Sequence, residues 1–176
     1  MNNLLQQPPK TAMEVFKILP EGTLCEVING TLYMSPSPLS KHQLLISELL
    51  SAIHSFLKPN KTGIVFTAPF DVYLDEESNA VQPDLIIVLN ENSSIIKEHI
   101  HGVPDILIEI LSKGNESHDL VRKKELYETK GVKEYFIVDP TTKEVIHYIY
   151  QNNSFIPQPT VIGELDSLVL KYRFTF

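Results

Sequence analysis

The chain has 176 residues, 43% of them hydrophobic, which is enough for one well-filled core and too few for two; a single domain over residues 11–176 is expected. A formal net charge of −7 and a pI near 5.3 exclude a surface dominated by clustered Lys and Arg, the usual means of gripping a phosphate backbone. Cys25 is the only cysteine, so no intrachain disulfide can form. Without a charged and then apolar leader, or a run of about 18 apolar residues, the expectation is a cytoplasmic protein with no membrane span.

Residues 1–10 are polar and contain Pro8-Pro9, which suits a loosely held leader. Thr11 and Glu14 have capping-box spacing ahead of a short helix to about Leu19, stopped by Pro20. Strands at 24–28 and 31–35 are predicted to form an N-terminal β-hairpin across Asn29-Gly30, the pair that tolerates the left-handed conformations of a type I′ turn. Glu26 shares a side with Leu24 and Ile28, and whether that side is buried or faces solvent is open at this point. Ser40 is placed as the N-cap of a helix to about Leu57, with Leu45, Ile46, Leu49, Leu50, Ile53, Phe56 and Leu57 on its inward face. His42 falls in the middle of that arc and Glu48 opposite. A core histidine with one hydrogen bond is the plainer reading of His42, ahead of a ligand.

Residues 64–67 and 70–74 read as two short strands, or one bent strand broken near Ala68-Pro69. Residues 90–102 are a short helix or loop. A charged segment at 117–130, ended by Gly131, projects as a helix with Asp119, Leu120, Lys123, Leu126 and Tyr127 on one face and Arg122, Glu125 and Glu128 on the other. Lys123 therefore faces inward. Taken alone, the plainer reading is that its stem runs along apolar neighbours while the ammonium reaches water. Strands are expected at 134–139 and 144–150, and the alternating tail 168–176 reads as an added strand.

Two apolar runs organise the whole. Val-Gln-Pro-Asp-Leu-Ile-Ile-Val-Leu (81–89) and Val-Pro-Asp-Ile-Leu-Ile-Glu-Ile-Leu (103–111) are what strands look like when both faces of a sheet are covered, yet they carry Asp84 and Glu109. A buried carboxylate needs compensation from a lysine, a metal ion or both. Asp84 and Glu109 as oxygen ligands of Mg²⁺ (or Mn²⁺), the Ile110 carbonyl as a third, and Lys123 to hold the attacking water or the phosphate are the parts of a phosphodiester-cleaving site. Phosphate-loop, Gly-x-Ser-x-Gly and zinc-ligand spacings are missing from the sequence.

The ordered set Val-Gln-Pro-Asp84, Pro-Asp-Ile-Leu-Ile-Glu109-Ile-Leu-Ser, Asp119, Lys123, Leu126-Tyr127 and Gly131-Val-Lys-Glu-Tyr-Phe-Ile-Val-Asp139-Pro140 resembles the Uma-type restriction endonuclease family of the PD-(D/E)XK superfamily. The resemblance extends from about residue 24 to 150, since Glu26-Val-Ile-Asn-Gly, His42-Gln and Ala68-Pro-Phe-Asp71-Val fit it too. It implies an α/β (α+β) restriction endonuclease-like core, a mixed sheet flanked by helices. It also implies a metal-dependent endonuclease acting on DNA through Asp84, Glu109 and Lys123, with Glu26, His42, Asp119 and Tyr127 as partners behind them. The superfamily's usual Glu-x-Lys is absent, because Leu111 stands at the lysine position; in this family the following helix supplies the lysine, and Lys123 matches that place. A homodimer is expected, since two DNA strands need two cuts. The competing expectations are a non-catalytic binding or regulatory module that keeps the fold, which the acidic composition favours, and a hydrolase of another phosphate ester.

Overall fold

The computed structural model describes residues 8–112 and 118–176, with the backbone alone for His118 and Asp119. Residues 1–7 of the expected leader lie outside them. Thr11 caps α1 (Ala12–Phe16), its hydroxyl accepting from the Glu14 N–H at 3.1 Å. β1 (Cys25–Ile28) and β2 (Thr31–Met34) form the expected hairpin, with Asn29 and Gly30 at φ 49° and 73° as a type I′ turn requires. α2 (Ser40–Asn60) differs at both ends from expectation. Leu39 holds the N-cap position without a side-chain hydrogen bond, so Ser40 is already helical. The helix passes Pro59 and stops instead at Lys61, whose left-handed conformation turns its N–H back to the last carbonyls.

The remaining strands are β3 (Gly63–Thr67), β4 (Val72–Tyr73), β5 (Ala80–Val81), β6 (Leu85–Leu89), β7 (Ile100–His101) and β8 (Ile106–Ile110), followed after α3 (Lys124–Lys130) by β9 (Glu134–Val138), β10 (Glu144–Gln151), β11 (Ser154–Pro157), β12 (Val161–Ile162), β13 (Glu164–Ser167) and β14 (Tyr172–Thr175). The main sheet runs β11-β10-β9-β8-β6-β3, with β12 also on β10. It is mixed: β8 and β9 are parallel, and its other pairs are antiparallel. A smaller sheet runs β2-β1-β5-β4-β7, and β13-β14 is a separate hairpin.

Both faces of the main sheet are covered, as the continuous apolar runs imply. On one face Leu85, Ile87, Ile106, Ile108, Phe136 and Val138 meet Leu45, Leu49, Ile53 and Leu57 of α2, with Leu165, Leu170 and Phe174 of the terminal hairpin. On the other, Ile86, Val88, Leu107, Tyr135 and Ile137 meet Ile28, Val72, Val81 and Ile100 of the small sheet and Leu126 and Tyr127 of α3. Burial of a residue such as Leu49 or Ile53, both fully enclosed, contributes about 1.5–3 kcal/mol. Among the described residues no helix is long and apolar enough to cross a membrane.

Three expected elements differ. The 81–89 run is two strands, because the chain leaves the small sheet after Val81 and enters the main sheet at Leu85. The tail pairs with 164–167 and joins neither larger sheet. The 117–130 helix is a π-turn over His118–Lys123 that becomes α-helical at Lys124.

Candidate active site

The step between the two sheets creates the site. Gln82, Pro83 and Asp84 bridge β5 and β6, so Asp84 sits where the main sheet begins to pair. The β6–β8 register, with Leu85 across from Ile108 and Ile86 across from Leu107, ends beside Asp84 on one strand and Glu109 on the other. Asp84 Oδ2 accepts from the Ile110 N–H at 2.7 Å and lies 3.1 Å from His42 Nε2 in the first turn of α2. Both contacts use Oδ2; among the described residues Oδ1 has none and faces the cavity.

Glu109 is 3% exposed near the end of β8, and its Oε1 accepts from Lys123 Nζ at 2.9 Å and Tyr127 Oη at 2.8 Å. Lys123, last residue of the π-turn, is itself 5% exposed and reaches Glu26 Oε1 at 3.0 Å. The side chain therefore does not lie along the surface with its ammonium in water. Glu26, left open by the sequence, is buried at 1% exposure and also accepts from the Gln82 N–H at 2.7 Å. Beside it, burial and then the charges of Asp71 and Glu26 push the Cys25 thiol up, which keeps that lone cysteine an uncharged core residue.

Glu26, His42, Asp84, Glu109, Ile110 and Lys123 all line one cavity of about 280 Å³, together with Gln82, Ala68, Pro69 and the Pro36 and Pro38 turn. Tyr127 stands behind Glu109 as its hydrogen-bond donor. The side chain of Asp119 lies outside the described residues. Basic side chains flanking or following Lys123 are engaged by other groups: Lys124 with Glu128, Lys130 with Asp75, Lys133 with Glu91 and Asp105, and Arg122 over the Tyr33 ring. Gln82 is the contributor to which the sequence assigned no role. Its amide donates to Asp71 Oδ1 at 2.7 Å and Thr23 O at 3.0 Å, tying the approach to Asp84 to the small sheet. Its place beside Pro83-Asp84 was the available signal.

Among the described residues, three carboxylates, Glu26, Asp84 and Glu109, share the cavity with one ammonium, that of Lys123. That excess of negative charge suits a divalent cation. Among the described residues no three His, Cys, Asp or Glu side chains form a ready metal cage. Hard ions such as Mg²⁺ are commonly held by one or two carboxylates with waters completing the shell, which is the donor set present.

The fold is α+β, with mixed sheets flanked by helices. The structure is similar to a crystal structure from Anabaena variabilis described as "a putative nuclease belonging to DUF820", with a TM-score of 0.69 and 23% identity over 87% of this chain and 83% of that one. The chain belongs to the Uma2 family, described as "Putative restriction endonuclease", whose model matches residues 13–171. No curated protein matches it.

Proposed function

We propose that the chain is a Mg²⁺- or Mn²⁺-dependent endonuclease of the PD-(D/E)XK type, hydrolysing DNA phosphodiesters and working as a homodimer. The observation that carries the reading is the convergence of Asp84, Glu109 and Lys123 on one cavity. Asp84 Oδ1, Glu109 and the Ile110 carbonyl would hold the ion. When bound, the ion neutralises phosphate charge and lowers the pKa of a water for in-line attack. The protein's own part is positioning. The Ile110 N–H and His42 fix the Asp84 carboxylate, while Lys123 and Tyr127 fix that of Glu109. Lys123 holds the attacking water or meets the charge that builds on the phosphate, and Glu26 keeps its ammonium at the cavity wall.

The test is a Mn²⁺ titration of the wild type and Asp84→Ala by calorimetry, followed by plasmid cleavage. Saturable binding in the wild type, its loss in the variant and a fall in cleavage on the order of 100-fold or more are expected. Plasmid, linear and single-stranded DNA all left intact at enzyme excess, with either ion, would refute the activity. The net charge of −7 favours one other reading, a non-catalytic module on the same fold. Metal binding without DNA association at low salt would select it.

A further inference from the structure

The two edges of the main sheet are finished differently. On β11, the Gln158 N–H to His147 O bond and the β10 register set the phase of the ladder, so Phe155 and Pro157 turn their backbone groups outward. Pro157 has no N–H, and the Phe155 N–H donates to Glu128 Oε1 at 2.7 Å. No outward donor is left on that strand. Such closure is how sheets avoid pairing with other chains.

On β3 the opposite holds. The Asn90 N–H to Thr62 O bond at 3.0 Å and the Ala68 N–H to Asp84 O bond at 3.2 Å show that residues 62, 64, 66 and 68 face β6. Gly63, Val65 and Thr67 therefore turn their N–H and C=O groups outward, and among the described residues these groups have no partner. The strand Gly-Ile-Val-Phe-Thr carries no charge and no proline, and none of its five residues is buried. Ile64 is 46% exposed.

The geometry points to the β3 edge as the seam at which two copies of this chain join their main sheets antiparallel, about a two-fold axis at Val65. The outward residues are symmetric about that position, so an identical strand is the complement the edge fits. Val65 meets its own counterpart, and Gly63 meets Thr67 of the second copy in both directions. That makes three narrow pairs, each able to exchange two hydrogen bonds. Ile64 then lies opposite Phe66 of the second copy, an aliphatic–aromatic pair of the kind that stabilises neighbouring strands. The outer edge of β2 is the rival. By the same phase argument only Leu32 and Met34 turn outward there, two positions against three. The seam deepens the homodimer part of the proposed function and is independent of catalysis.

The test measures mass by light scattering and sedimentation across a dilution series, for the wild type, Ile64→Lys and Val65→Pro. Lysine on an edge discourages pairing, and proline at 65 removes an outward N–H without touching a β6 bond. The wild type is expected at twice the 20.0 kDa of one chain, and both variants at 20.0 kDa with unchanged circular dichroism. Amide exchange at Gly63, Val65 and Thr67 of the wild type should slow as concentration rises. A dimer that survives both substitutions, or protection that appears at Leu32 and Met34 instead, overturns the seam and leaves the homodimer standing. A wild type that stays monomeric throughout overturns both, while metal-dependent cleavage is judged separately.

Discussion

Replacing Lys123 with methionine tests whether the site is held together by charge. The lysine ammonium lies 3.0 Å from Glu26 Oε1 and 2.9 Å from Glu109 Oε1, so those two oxygens are within about 6 Å of each other by the triangle they make with one nitrogen. With the lysine gone, two buried carboxylates face one another. At an effective dielectric of about 20, their repulsion at that distance is on the order of 3 kcal/mol. Stranding a buried ionic partner costs about 3–5 kcal/mol in comparable cases. Lys123→Met is therefore expected to lose about 3–5 kcal/mol at neutral pH, read as a lower urea midpoint at unchanged slope. Methionine matches the stem in length and polarizability, so little of this loss comes from packing. Adding Glu26→Gln to Lys123→Met should recover part of the loss. A deficit under about 1 kcal/mol, or one that ignores Glu26→Gln, refutes the charge argument.

Two further perturbations probe the scaffold around the site. Burial works against the charge of Asp75, but hydrogen bonds from Lys130, Asn79 and the N–H groups of Ser78 and Glu77 outweigh it and hold the carboxyl well below its ordinary range. A depressed folded pKa stabilises above the unfolded value near pH 4 and is lost as the pH falls through the folded one. Lys130→Met, which breaks the 2.8 Å ion pair to Asp75, should therefore cost about 1 kcal/mol at neutral pH, with the difference from wild type fading in strong acid, as pH-dependent urea melts would show. Gly63→Ala should cost about 1–3 kcal/mol in thermal melts, because its Cβ would stand 2.5 Å from Val88 O and 3.0 Å from Leu89 Cα, backbone atoms that move only if β6 moves; an unchanged melting temperature would contradict that packing.

Much of this molecule is legible where local chemistry decides. Asn29-Gly30 specifies its turn whatever surrounds it, and the Ile- and Leu-rich runs announce strands with no solvent face. The inward direction of Lys123 survives the unexpected π-turn for a simple reason. Leu126 and Tyr127 follow at three and four residues within the regular part of the helix, so its side is set from the C-terminal direction. Hydrophobic period, however, reports that a residue is covered and not which sheet covers it. The 81–89 run reads as one strand because Val81 and Leu85–Val88 are all buried, and the break at Gln82-Pro83-Asp84 does not say locally that the sheet changes there.

The same limit explains the tail and Glu26, and shows what builds the site. Alternation in 168–176 is real, but its pairing is settled by Glu134 at the start of β9. That carboxylate accepts from the Ser167 hydroxyl and from the N–H groups of Leu168 and Val169, fixing the turn before β14 and folding the segment back on 164–167. Glu26 could not be assigned to core or solvent from β1 alone, since an alternating strand allows either. Its burial depends on a Gln82 N–H 56 residues away and on an ammonium carried by another element. Carboxylates of this kind are tolerable inside only when distant donors arrive together. For that reason the most informative residues of the cavity, Glu26, Asp84 and Glu109, are those whose surroundings local sequence describes least, and Lys123 was identifiable because its helix states its direction locally.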